Sequence, residues 1–225
     1  MAEVLKRLTD MLARNGLALR GGFNIDEKES APQTVDGQPV LSIVLVGNAG
    51  GAFWPHFQRW FEEGKCQSAN PLDDWSRMVL EGAAQAVNAR VILPNDRPFH
   101  PFQQWAMRAE GLRPSPIGVL MHPEYGLWHA YRGALLFNEF IEFGQSRVVA
   151  HVCDDCAAKP CLSSCPVAAH SPEGFAYQRC LDHVRSEKGQ VCMSGGCLDR
   201  NACPAGSAYR YPAPVQQFFM RSFAR

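Results

Sequence analysis

The chain has 225 residues, and its 22 Lys and Arg balance 22 Asp and Glu, so the formal net charge is zero. This balance leaves no basic footprint for nucleic acid, and no apolar run approaches the ~20 residues of a membrane helix. The N-terminal Met-Ala-Glu-Val-Leu opens directly into an amphipathic pattern, without the apolar core of a secretory signal. We therefore expect a cytoplasmic protein, without nucleic-acid or membrane partners, built as one large domain or one domain with an appendage.

Helical and extended patterns alternate over the first 110 residues. Apolar residues at helical spacing predict helices, whereas the nearly all-apolar segment 40–46 is typical of a strand buried on both faces. Asn70-Pro71 joins a capping residue to a first-turn proline, which predicts a helix start. The predicted elements are, in chain order, a helix from Val4 to about Gly16, an extended segment over 17–25 with a bend or bulge at Gly21-Gly22, the strand over 40–46, a helix over 53–61 whose aromatic face includes Phe61, a helix from Pro71 with Met78 in its buried stripe, a strand over 90–93 and a helix over 102–108.

Two further strands are predicted over 118–121 and 127–137, and the breaker-rich turn 122–126 between them predicts an antiparallel hairpin. Arg132 lies among apolar residues of the second strand, so it is either paired structurally or available to an anionic ligand. The glycine-rich turn 47–51 matches neither dinucleotide nor Walker spacing, which favours a tight turn over a phosphate site. The irregular alternation predicts an α+β sandwich with helices on a mixed sheet.

Cysteine is concentrated near the C-terminus: eight of the nine cysteines lie within 153–204. The first run is C-x2-C-x4-C-x3-C-P, whose middle spacer is two residues longer than in the usual bacterial iron–sulfur run, and the second set also ends in Cys-Pro. Three close thiolates hold one cube, while the fourth, followed by proline, reaches the neighbouring cube. We therefore predict two [4Fe-4S] clusters, one held by Cys153, Cys156, Cys161 and Cys203 and the other by Cys165, Cys180, Cys192 and Cys197.

Two other interpretations of these cysteines remain. Structural zinc fits two four-cysteine sets, although zinc runs rarely both end in Cys-Pro. A disulfide framework requires an oxidising compartment, for which the N-terminus gives no signal. The ninth cysteine, Cys66, lies in a polar context and is interpreted as incidental.

The segment Ser115–Gly133 carries Gly-Val-x-x-His-Pro, then Tyr-Gly-x-Trp and Ala-x-Arg-Gly, and it resembles the CblC family of cobalamin-processing proteins. The resemblance covers roughly residues 1–140 and implies a nitroreductase-like fold that binds cobalamin with its lower base detached. It implies that His122 lies beside the corrin, although the histidine taken by itself favours a residue that pins the turn by hydrogen bonding. The implied cobalamin contacts are Ser115, Pro116, Ile117, Gly118, His129, Ala130, Tyr131 and, less securely placed, Gln104.

The cysteine-rich tail looks like those of epoxyqueuosine reductase and the reductive dehalogenases, which place two clusters beside a related cobalamin domain. The expected organisation is a cobalamin-binding domain over 1–145 and a loop-rich, ferredoxin-like module over 146–225. Residues 209–220, with two prolines, are expected to form a non-helical tail packed on the body.

The expected activity is reduction of cob(III)alamin and removal of its upper ligand, with electrons from an upstream donor, in a monomer or homodimer. A cobalamin-dependent substrate reductase and a corrinoid-free electron carrier are the alternatives. The flavin-dependent relatives of the fold make flavin a further candidate cofactor, and glutathione-dependent dealkylation is in doubt because the family's glutathione-binding arginine has no secure counterpart past residue 140.

Overall fold

The computed structural model describes residues 2–26, 29, 32–66, 68–144 and 149–225. The chain divides into two units: the first is Met1–Gly111 with Ala130–Val148, and the second is Leu112–His129 with Val149–Arg225. The domain boundary predicted between 145 and 146 lies outside the described residues. Within the described ranges, no helix is long and apolar enough to cross a membrane.

The chain forms eight α-helices and eight short strands over the residues that the structure describes. The helices are α1 (Ala2–Ala13), α2 (Trp54–Glu62), α3 (Pro71–Gln85), α4 (Phe102–Glu110), α5 (Tyr177–Arg185), α6 (Gln190–Gly195), α7 (Leu198–Ala202) and α8 (Ala213–Phe223). The strands are β1 (Ala18–Asn24), β2 (Ser42–Ala49), β3 (Arg90–Ile92), β4 (Arg113–Pro114), β5 (Leu120–Met121), β6 (His129–Phe137), β7 (His170–Ser171) and β8 (Gly174–Phe175).

A four-stranded sheet in the order β1-β2-β6-β3 is the framework of the first unit. β1 pairs antiparallel with β2, and β3 pairs antiparallel with β6. β2 and β6 are antiparallel too, because the Leu41 N–H donates to the Phe137 carbonyl whereas Gly47 faces the Ala130 carbonyl. The mixed sheet that we predicted is therefore wrong for the described strands, and the bulge predicted at Gly21-Gly22 is present as a register shift between Leu19 and Gly22.

β2 is buried along almost its whole length, as its apolar sequence predicted. Helix α4 packs on β1 and β2, and α3 packs on β3. Two positions depart from the predicted buried faces: Phe61 is 46% exposed and Met78 is 45% exposed. Both residues lie at the margin of their helix's apolar stripe, where helical periodicity alone does not distinguish buried from half-exposed positions.

The predicted hairpin of 118–121 with 127–137 does not form. β5 pairs instead with β4, and a single bridge between His122 and Gly126 closes the turn. β6 lies between β2 and β3, where its apolar residues are covered on both sides. A strand with this composition gains more from a central place in a sheet than from a two-residue partner.

The C-terminal segment is more helical than we expected. Residues 213–223 form α8, which packs against α6, so the prediction of a non-helical tail is wrong. Pro212 precedes the helix and Pro214 lies in its first turn, where proline loses no intrahelical hydrogen bond. Val215, on the helix face, is fully buried. The prolines therefore mark a helix start.

Candidate functional site

Four cysteines line one cavity of about 250 Å³ in the second unit: Cys153, Cys156, Cys161 and Cys203, here called the first cysteine set. A turn brings the first two together, since the Cys156 N–H donates to the Cys153 carbonyl over 3.3 Å. A 3₁₀ turn over Pro160–Leu162 carries the third, and the fourth directly follows α7. Chain segments 50 residues apart in sequence thus supply one group of thiols.

The other four cysteines, Cys165, Cys180, Cys192 and Cys197, are here called the second cysteine set and belong to the same unit, two of them on helices. Cys180 is on α5, Cys192 is on α6, and Cys197 immediately precedes α7. The backbone N–H of Ala169 donates to the sulfur of Cys165 over 3.4 Å. All nine cysteines of the chain are free thiols.

The pKa shifts of the thiols follow the division into two sets. Burial, followed by repulsion from the other thiols of its own set, raises the pKa of Cys180 to about 11. In the first set, burial is again the main reason why the pKa of Cys161 is raised, followed by repulsion from Cys203, Cys153 and Cys156. In each case the thiols that act on one another belong to the same set.

These two sets have the same members as the two ligand sets derived from sequence spacing. Within the described ranges, no three His, Cys, Asp or Glu side chains meet closely enough to hold a single metal ion. Cluster binding therefore stays a prediction, and it is treated below as a proposal.

Two charged residues near the cysteines were missed by the sequence reasoning. Lys159 lines the cavity of the first set and donates from Nζ to the carbonyls of Cys153 and Cys156, at 2.8 and 3.0 Å. Asp199 is fully buried beside the second set and accepts hydrogen bonds from the Ser164 N–H at 3.0 Å and from His170 Nδ1 at 2.8 Å. Both residues lie inside the cysteine runs, and a charge at such a position is a usable sequence signal.

The residues implied to contact cobalamin fall in both units. Gln104, Ala130 and Tyr131 belong to the first unit and the others to the second. Gln104 is exposed on α4, and Ala130 is half-buried on β6. The backbone of Ala130 lies so close to Gly47 that a Cβ on that glycine would be 2.2 Å from its carbonyl oxygen.

Tyr131 belongs to a polar network inside the first unit. Its hydroxyl donates to the Glu110 carboxylate, which also accepts two hydrogen bonds of 2.9 Å from the nearly buried Arg20. Burial, then the Glu110 charge, raises the pKa of Tyr131, so the phenol stays a donor. Arg132 is anchored in the same unit by a 2.9 Å bond from Nε to Asn48 Oδ1. Of the two roles open for Arg132, the structure therefore provides the structural pairing.

The remaining predicted contacts lie between Leu112 and His129. Ser115 and Pro116 line the cavity of the first cysteine set, Ile117 packs with Met121 and Leu127, and Gly118 has a φ of +79° that favours glycine. His129 is buried, with Nε2 at 2.9 Å from the Leu120 carbonyl oxygen.

His122 is held in its turn by local contacts. Its Nδ1 accepts hydrogen bonds from the backbone N–H groups of Glu124 and Tyr125, each at 3.1 Å. Its ring stacks on Tyr125 with centroids 4.0 Å apart. These contacts support the turn-pinning role, and the position beside a corrin stays a prediction.

Several solved structures have a fold similar to that of this chain. They include the B12-trafficking protein CblC of C. elegans, a human MMACHC homologue, at 16% identity and a TM-score of 0.55, matched over 100% of this chain and 93% of that one. Selenomethionine-labelled epoxyqueuosine reductase matches at 13% identity and a TM-score of 0.57, over 96% of this chain and 69% of that one. The Streptococcus thermophilus epoxyqueuosine reductase matches at 15% identity and a TM-score of 0.53, over 94% and 67%.

No protein-family model matches the chain, and no curated protein does either. At these identities the likenesses establish the fold alone. The chain has the α+β fold of the CblC and epoxyqueuosine reductase structures, with an antiparallel sheet covered by helices.

Proposed function

We propose that this protein is a cobalamin-binding iron–sulfur reductase that acts on cob(III)alamin and releases its upper ligand. One observation carries the proposal: two groups of four free thiols lie in a chain whose whole length resembles a B12-trafficking fold. A B12-trafficking fold alone does not account for either group of thiols. A ferredoxin-type electron carrier alone does not account for the first unit.

The thiol groups suit two [4Fe-4S] clusters by their chemistry. Each cluster is held by four cysteine thiolates, one to each iron, so the sulfurs surround a cube and need not converge on a point as around zinc. Burial and repulsion between neighbouring thiols raise the pKa values of Cys161 and Cys180, and bound iron would offset that cost by taking the thiolate form. When bound, the clusters supply single electrons at potentials that the protein tunes.

The chain's own residues hold and shield these groups. Lys159 fixes the loop between Cys153 and Cys156, and Asp199 fixes the start of α7 through Ser164 and His170. Cob(III)alamin is the substrate: one electron gives cob(II)alamin, and the upper ligand leaves with its bonding pair, as water from aquocobalamin or as an anion where the ligand is cyanide or hydroxide. We propose that the residues implied by the CblC resemblance, from Gln104 to Tyr131, contact this substrate.

A second candidate is a cobalamin-dependent reductase of an organic substrate, as the likeness to epoxyqueuosine reductase suggests. That likeness covers only 69% and 67% of the two reductases, against 93% of the CblC structure.

The test is an anaerobic titration of iron-loaded protein with aquocobalamin, followed by one electron equivalent of dithionite. We expect a stoichiometric base-off spectrum, and then cob(II)alamin formation in step with cluster reoxidation. A matched pair of variants separates cluster ligation from general thiol loss: Cys156→Ser should lose roughly half of the bound iron, whereas Cys66→Ser should lose none. An unchanged corrinoid spectrum at micromolar protein would contradict cobalamin binding and leave an electron carrier.

A further inference from the structure

The two cysteine sets lie in different electrostatic surroundings. Lys159 and Ser115 line the cavity of the first set, whereas the fully buried Asp199 lies two residues after Cys197 of the second set. Because a cluster's reduction potential depends on nearby charge and on hydrogen bonds to its sulfurs, this difference has a redox consequence.

Specific hydrogen bonds hold Lys159 in place at the first set. Its Nζ donates to two carbonyls of the cysteine run, and the residue adopts φ +37° and ψ 58°, a left-handed conformation that a side chain normally disfavours. The two bonds keep the ammonium group against the loop that carries Cys153 and Cys156. A positive charge there stabilises the reduced, more negative form of a cluster.

Ser115 gives the same cavity a buried hydroxyl. The residue is 6% exposed, and its Oγ has no hydrogen-bond partner in the described part of the chain. Buried hydroxyls are normally satisfied, and one without a partner calls for a ligand. Rotation about a single torsion lets a serine hydroxyl donate to a sulfur acceptor in the cavity.

The second set has the opposite charge beside it. Both Asp199 oxygens accept hydrogen bonds, one from the Ser164 N–H and one from His170 Nδ1. The carboxylate lies two residues after Cys197 and is fully buried, so solvent screens its charge little.

Two other polar groups near the sets should have smaller effects on the cluster potentials. Asp154 follows Cys153, but it is exposed and paired with Arg113, so solvent and the guanidinium reduce its field. The Ala169 N–H to Cys165 gives the second set one amide donor at the long distance of 3.4 Å.

We propose that these residues separate the potentials of the two clusters, with Lys159 and Ser115 raising that of the cluster at the first set and Asp199 lowering that of the cluster at the second set. This inference rests on the proposed function, because it requires both clusters to be bound. Each couple takes up one electron, so an electron shared by the two clusters resides mainly at the first set.

The test is an anaerobic potentiometric titration of the iron-loaded full chain, monitored by electron paramagnetic resonance. We expect two one-electron waves in the wild type. Lys159→Gln and Ser115→Ala should each lower the upper wave only, and Asp199→Asn should raise the lower wave only. We expect Lys159→Gln to change the reduced-to-oxidised ratio about tenfold at a fixed potential, which equals ~59 mV for a one-electron couple.

Three controls keep structural damage apart from tuning. Lys65→Gln removes an exposed ammonium group from the first unit and should move neither wave. Ser115→Thr keeps the hydroxyl and should restore the wild-type potential. If Asp199→Asn fails to load iron, the Lys159→Gln variant still tests the inference, because it must lower the potential of the upper wave.

The inference would be overturned if Lys159→Gln left both waves at their wild-type potentials, or if it also shifted the lower wave. Neither result would contradict the proposed function. A Ser115→Ala variant that weakens cobalamin binding and moves neither wave would overturn the role of Ser115 and favour the contact implied by the CblC resemblance. A wild-type chain that takes up no iron–sulfur cluster would instead overturn the proposed function.

Discussion

The Glu110 carboxylate holds together the buried polar network of the first unit, and removing it should be costly. Glu110 accepts two 2.9 Å bonds from Arg20 and one from the Tyr131 hydroxyl. The side chain of Arg20 is 2% exposed and that of Glu110 is 14% exposed. Glu110→Ala would leave a buried guanidinium without its counter-charge, a change that costs about 3–5 kcal/mol. Glu110→Gln keeps one acceptor and should cost about 1.5–3 kcal/mol.

Hydrogen exchange read by mass spectrometry suits this test, because a two-unit chain need not unfold in one step. Peptides over 18–24 and 102–110 report on β1 and α4, which the network joins. A loss of 3 kcal/mol corresponds to roughly a hundredfold faster exchange where exchange requires unfolding of this unit. Glu110→Gln should give an intermediate increase.

Glu81→Ala provides the matched control. Glu81 is 51% exposed and lies 3.6 Å from Arg77, one turn away on α3, so its loss should cost no more than about 0.5 kcal/mol. If Glu110→Ala accelerated exchange no more than Glu81→Ala, the network would not stabilise the unit, and the argument from burial would be refuted.

Three further predictions follow from the packing and the thiol chemistry. Gly47→Ala should unfold or strongly destabilise the first unit, because its Cβ would lie 2.2 Å from the Ala130 carbonyl oxygen. Gly82→Ala on α3 meets no atom within 4 Å, so it should increase the free energy of unfolding by ~0.5–1 kcal/mol and raise the melting temperature. Iron chelation should open residues 149–225 to limited proteolysis before the first unit, since bound metal contributes folding free energy to small metal-binding modules; equal cleavage of both units would contradict this. Cys66→Ser should leave the thermal transition of loaded protein unchanged, because Cys66 belongs to neither set.

Local sequence patterns could predict the elements whose residues have one stable arrangement. The apolar run 40–46 is confirmed as a buried strand, and Pro71 begins α3 as its capping pattern predicted. In these cases the information is contained within a few neighbouring residues.

Strand pairing and helix packing between distant parts of the chain could not be predicted from local sequence in the same way. β5 pairs with β4 because β6 has better-covered neighbours in the sheet, and nothing within 118–121 indicates this competition. Pro214 is compatible with either a loop or a helix start, and only the packing of α8 on α6 decides between them. The roles of Lys159 and Asp199 could not be predicted either, because the sequence does not show which backbone groups and side chains their charges reach in the folded unit.

His122 shows how the structure narrows a role that the sequence leaves open. Because Nδ1 accepts two backbone N–H groups, the neutral ring carries its proton on Nε2. These bonds and the stacking on Tyr125 tie the ring to the turn from two sides. The observed contacts therefore support the turn-pinning role, and a position of His122 beside a corrin stays a prediction.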